Sequence, residues 1–160
     1  MNKASFPILL SLCLIVFFTA CKGGSETNAE TNDSAAQEQT ENKSVASQLE
    51  MIPIELNNGA KWKADALTTL GIGDIKVSLD DLDVSARGEE YQILTNNLIG
   101  TIKQTLNSSE MEGEAKTQFT NYIRNMAQIT DFIQSSDTFV RQEATEELRK
   151  MLDAYDDYFE

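Results

Sequence analysis

Histidine is absent from all 160 residues. With it go the commonest general base, the commonest transition-metal ligand and the usual haem ligand. A Ser-His-Asp or Cys-His mechanism has no base within this chain. Thiols are almost as scarce. The two cysteines, Cys13 and Cys21, both lie in the first 21 residues, so the rest of the chain holds no disulfide, no redox dithiol and no thiolate ligand. Basic residues are few as well: 13 Lys and Arg stand against 26 Asp and Glu, for a formal net charge of −13. Such a field repels nucleic acid and anionic lipid and keeps a protein soluble beside a membrane. No stretch offers the basic face that nucleic-acid binding needs. Together these absences point away from an enzyme, and no cofactor is expected.

The first residues are of another kind. Met1 to Gly24 read MNKASFPILLSLCLIVFFTACKGG, with Lys3 as a positive leader and an apolar core from Phe6 to Phe18. Thr19-Ala20-Cys21 closes it with small residues, the layout of a secretory signal. The segment resembles a bacterial lipobox, in which cleavage after Ala20 leaves Cys21 as the lipidated N-terminus. Phe18 stands where lipoboxes most often carry leucine. An uncleaved membrane helix is the competing reading, but the apolar core falls short of the ~20 residues that span a bilayer. Lys22 follows the cysteine, which resembles outer-membrane rather than inner-membrane-retained lipoproteins. No run of acids follows directly, which favours the periplasmic face of the outer membrane.

Residues 22–50 contain no aromatic side chain and few apolar ones before Val45 and Leu49. They cannot bury enough surface to offset ordering entropy, so a disordered tether is expected. As a coil it would span roughly 30 Å, and ~95 Å if stretched. Asp33-Ser34-Ala35 resembles the O-glycosylation acceptor of Bacteroidetes-type envelope proteins, which makes Ser34 a candidate site, although three residues recur easily by chance.

The folded domain is expected over 51–160. Residues 52–62 (IPIELNNGAKW) read as a short hairpin. A two-residue Asn58-Gly59 turn would set Leu56 against Lys61 and Glu55 against Trp62. A three-residue Asn57-Asn58-Gly59 loop gives Leu56–Ala60, Ile54–Trp62 and Glu55–Lys61, and is the expected register. Helical periodicity follows. Segment one, about 64–82, carries Leu67, Leu70, Ile75, Leu79 and Leu82, with a kink or break expected at Gly71 and Gly73. Segment two, about 88–107, carries Tyr91, Leu94, Leu98, Ile102 and Leu106. Segment three, about 110–134, carries Ala115, Phe119, Tyr122, Met126, Ile129 and Ile133. Segment four, about 137–158, carries Val140, Ala144, Leu148, Met151, Leu152 and Tyr155. Ser109 and Glu112 have capping-box spacing before segment three, and Asp137 is a candidate cap for segment four. Short connections imply antiparallel neighbours. The predicted fold is all-α: an antiparallel four-helix bundle preceded by a short β-hairpin, with residues 1–20 a signal peptide and 21–50 the lipidated cysteine and linker.

Candidate chemistry is sparse. Gly71 and Gly73 do not make a phosphate loop, because Lys76 stands where a third glycine is needed. Di-iron bundles require Glu-x-x-His pairs. Met111, Met126 and Met151 could ligate copper(I) through thioethers, but their places in or near apolar stripes favour packing. Asp153, Asp156, Asp157 and Glu160 fall at helical spacing as an acidic stripe that could attract calcium, although a solvated helix face is the simpler reading.

Two stretches, Leu56-Asn57-Asn58-Gly59-Ala60-Lys61-Trp62-Lys63 and residues 107–123 (NSSEMEGEAKTQFTNYI), resemble a family of small uncharacterised Bacteroidetes-type envelope lipoproteins. That family has an L-N-N-G-x-K-W-K stretch and an S-C-T-M-K-G-x-x-H-x-x-L-H-K-W-L helix-start motif. Met111, Gly113, Phe119, Tyr122 and Ile123 match the second pattern directly or by size. The family's cysteine and histidines are replaced by Ser109, Lys116 and Thr120. The resemblance implies a lipid anchor, tether, hairpin and bundle, and carries no activity. The expectation is a non-enzymatic envelope lipoprotein that meets the membrane through Cys21 and presents an acidic bundle to a protein partner or maintains the envelope. The alternative is a periplasmic bundle that binds a metal ion or small ligand.

Overall fold

A computed structural model describes residues 43–160. The expected signal peptide, Cys21, Ser34 and most of the tether lie outside the described residues. The described part is mostly helical. Its elements are α1 (Val45–Gln48), α2 (Ala66–Asp80), α3 (Gly88–Ser108), α4 (Gly113–Ile133), α5 (Thr138–Asp153) and α6 (Tyr155–Tyr158). The helix α2 packs on α3, α3 on α4, α4 on α5, and α5 back on α2, which closes a ring around one core. Each pair runs antiparallel. Ser78 meets Thr101 and Tyr91 reaches the Ile133 carbonyl, while Tyr122 reaches that of Met151. Ile75, Leu98, Phe119, Met126, Ala144 and Leu148 are fully buried at the centre.

The periodic segments α3, α4 and α5 bury the stripes expected of them. Asp137 caps α5, accepting the N–H groups of Phe139 and Val140. Segment one differs in two respects. First, α2 runs unbroken through Gly71 and Gly73. Second, it buries Thr68, Gly71, Ile72, Ile75 and Leu79, leaving Leu67 44% and Leu70 66% exposed. Gly71 accounts for the second. A Cβ there would lie 2.5 Å from the Thr105 side chain, so glycine is where α3 comes closest. The helix is rotated to present that residue inward.

The capping box does not form. Glu112 stands at the N-cap of α4 without a side-chain cap bond. Asp65 instead organises this corner. Its carboxylate caps α2 through Thr68 N–H at 2.9 Å and the Thr68 hydroxyl at 2.6 Å, and accepts Glu110 N–H at 3.0 Å from the α3–α4 loop. Partial burial pulls its pKa upward, but the bonds from Thr68, Glu110 and Leu67 outweigh that and hold the carboxyl at about 2.

The predicted hairpin is replaced by a tight turn and a non-local pairing. Asn57 and Ala60 exchange hydrogen bonds at 2.8 and 3.0 Å around Asn58-Gly59. Both central residues have positive φ, 52° and 89°, as a type I′ turn demands. The register is therefore the two-residue one, against the expectation. It goes no further, and no named strand occurs among the described residues. Trp62 pairs in parallel with Phe159: Trp62 N–H donates to Tyr158, Glu160 N–H to Trp62, and Ala64 N–H to Glu160. Ile54 and Trp62 still pack against the core, partly buried.

At the other end, segment four divides at Ala154 into α5 and α6. Asp153 belongs to α5, Asp156 and Asp157 to α6, and Glu160 to extended backbone, so the four acids do not share one helix face. The break lets Phe159 turn into the core. There it stacks on Tyr155 with centroids 5.0 Å apart and meets Phe119 and Tyr122 edge-on.

Candidate functional site

Of residues 45–49, placed in the tether by composition, Val45 and Leu49 pack against the body. Val45 is 1% exposed, α1 lies on α5, and Val45 N–H donates to Glu143 at 3.2 Å. The folded body thus begins before residue 51. From Leu49 to Glu55 the chain continues as an extended strap across α4, held chiefly by two buried amides. Asn125 accepts Ile52 N–H and donates to the Ile52 carbonyl, both at 2.8 Å. Gln118 accepts Glu55 N–H at 2.9 Å and donates to Glu114 at 2.9 Å. Trp62 Nε1 closes the far end on the Glu55 carbonyl at 2.6 Å. Asn125 is 2% exposed and Gln118 6%.

Sequence reasoning missed both amides. The signal was present: positions 118 and 125 fall in phase with the apolar stripe of α4, beside Phe119 and Met126. A polar residue buried at a core position needs hydrogen-bond partners, and here the backbone of the strap supplies them.

Between the strap and the α4–α5 face lies a groove of about 450 Å³. Leu49, Met51, Ile52 and Ile54 form one wall, and Ile129, Met151, Ala154 and Tyr158 line the other. Its size and apolar lining are those of a binding cleft. The charged side chains that line it are Glu147 and Lys150. Glu147 holds Lys150 at 2.9 Å, which raises the ammonium pKa, and Glu143 is already bonded to Val45.

Tyr122 lines the groove, and Tyr155 packs edge-on against its ring in the core. Tyr122 donates to the Met151 carbonyl, and burial pushes its pKa far up. Burial also pushes Tyr155 up to about 12. Its hydroxyl is buried without a hydrogen-bond partner among the described residues, with Thr69 close enough to oppose the shift but outside bonding geometry.

Among the described residues no group of three or more His, Cys, Asp or Glu side chains is placed to hold a metal. Met111 and Met126 are buried in the core and Met151 packs against it. Of the three positions that replace cysteine and histidine in the resembling family, two come together structurally. Lys116 donates to the carbonyls of Ser109 at 2.9 Å and Leu106 at 3.1 Å, where it satisfies the C-terminal end of α3. Thr120 bonds back to the Lys116 carbonyl within α4.

A second apolar surface lies outside, along the α2–α3 seam. Leu67, Leu70 and Val77 line a shallow depression there with Thr101, Gln104 and Ser108. No helix among the described residues is long and apolar enough to cross a membrane. No protein-family description, curated protein or solved structure matches the chain.

Proposed function

We propose that the chain is a non-enzymatic lipoprotein, anchored through Cys21 in the periplasmic face of the outer membrane. On this reading it presents an acidic antiparallel four-helix bundle, either to a protein partner or for envelope maintenance. The observation that carries this reading is the apolar segment ending in Thr19-Ala20-Cys21, followed by a polar linker. The ring of antiparallel helices α2 to α5 supports the bundle, and the likeness to Bacteroidetes-type lipoproteins agrees with it. Ser34 is the candidate glycosylation site on the linker. Mass spectrometry of the mature N-terminal peptide tests the anchor: a diacylated or triacylated Cys21 is expected, and an unmodified Cys21 or a retained Met1 overturns it.

The alternative is a binder of a small ligand or metal ion. The groove of about 450 Å³ under the strap favours a small ligand. Thermal melting with candidate ligands separates the two, because a ligand selective for the folded state raises the melting temperature.

A further inference from the structure

Asn125 and Gln118 do not recognise side chains on the strap; they bond its backbone. Their spacing suits that task. Seven residues of helix rise about 10.5 Å, and the three residues from Ile52 to Glu55 extend about 10 Å. The strap runs antiparallel to α4, with 52 over 125 and 55 over 118. The two amides therefore form a pre-positioned clamp for any extended chain, while the aliphatic residues at alternate positions, Ile52 and Ile54, settle against the helical body.

The resident segment fits this place imperfectly. It leaves a groove of about 450 Å³ open beside it. It also brings two exposed acids, Glu50 and Glu55, to an edge where Glu114, Glu143 and Glu147 already outnumber Lys150. We infer that the α4–α5 face is a docking groove for an extended segment of another protein, which this chain's own residues 45–55 occupy in its absence. The partner segment has aliphatic side chains at alternate positions, as at Ile52 and Ile54, and neutral or basic flanks in place of Glu50 and Glu55. The strap adjoins the tether, and displacing it also frees Trp62 Nε1 from the Glu55 carbonyl. The Asn58-Gly59 turn and the Trp62–Phe159 pairing hold the body closed behind it.

The inference rests on the reading above only in taking the partner to be a protein, and an unmodified Cys21 would leave it standing. The test uses a fluorescent peptide of residues 43–56 and the full chain. In the full chain, Val45→Asp, facing Glu143, and Ile52→Asp unseat the resident strap. The peptide should bind this variant at least about tenfold more tightly than wild type, a difference of ~1.4 kcal/mol. Adding Asn125→Ala should weaken that binding by about tenfold. Placing Lys for Glu50 and Glu55 in the peptide should tighten it, with a gain that fades in salt. Equal binding to wild type, or none to a variant that keeps its helical circular dichroism, overturns the inference. If that variant loses its helices, hydrogen exchange on wild type decides. The Ile52 and Glu55 amides should exchange through local opening, well ahead of the Phe119 and Leu148 amides. Exchange only with global unfolding would show that the strap cannot be displaced.

Discussion

Replacing Gly71 by alanine should destabilise the protein, whereas the same change at Gly73, two residues on, should stabilise it. Both glycines lie in the interior of α2, where alanine is favoured by roughly 0.5–1 kcal/mol on propensity alone. Nothing lies within 4 Å of a Cβ at Gly73, so that gain should appear in full. At Gly71 the new methyl would stand 2.5 Å from Thr105 Cγ2 and Oγ1 and 2.9 Å from its Cβ. Thr105 is stiff at χ1 and its hydroxyl is bonded to the Thr101 carbonyl at 2.9 Å, so it yields poorly. Overpacking of this kind costs about 1–3 kcal/mol, and the net loss should be roughly 0.5–2 kcal/mol after the propensity gain. Urea unfolding followed by far-UV circular dichroism reads both changes, and the two variants should separate by about 1–3 kcal/mol in opposite directions. Gly71→Ala placed in a Thr105→Ala background should recover part of the loss, since two of the three close contacts disappear. If Gly71→Ala stabilises as much as Gly73→Ala, the close approach of α2 and α3 is not what selects glycine.

Asp65→Ala should cost about 1 kcal/mol by loss of the α2 cap. Because the folded carboxyl titrates at about 2, below its ordinary 3.8, its contribution is full above the unfolded value and lost as pH falls towards 2. Urea midpoints of wild type and variant should accordingly converge over that window. Leu98→Ala or Ile129→Ala should cost roughly 2–5 kcal/mol by opening a core cavity, while Leu70→Ala, at an exposed position, should stay within about 0.5 kcal/mol; thermal melts compare them. Tyr122→Phe leaves the Met151 carbonyl without its donor and should cost about 1–3 kcal/mol, whereas Tyr155→Phe removes an unpartnered hydroxyl and should be neutral or stabilising. Both phenols are raised in the fold, so stability should fall as pH rises from the unfolded value of 10.0 towards about 12, read by tyrosinate absorbance alongside circular dichroism.

The sequence by itself determined the helical class, the spans of α3 and α4 to within a few residues, and the start of α5 with its cap at Asp137. These are local matters. A 3.6-residue stripe with one apolar face has few ways to hide it, and a carboxylate before a helix finds its N–H groups within three residues. The same chain left the phase of α2 open, because Leu67 and Leu70 are as apolar as Ile72 and Ile75. Only the approach of Thr105 to Gly71 selects which face turns inward. Turn chemistry at Asn58-Gly59 prevailed over side-chain pairing once Trp62 found its backbone partners nearly a hundred residues away, at Tyr158 and Glu160. The strap shows the limit most clearly. Residues 45–55 carry too little apolar surface to fold by themselves, and Gln118 and Asn125 look like interruptions of a core stripe. Each explains the other only when tertiary structure brings them together, since a buried amide and an unpaired extended backbone are both costly until they meet.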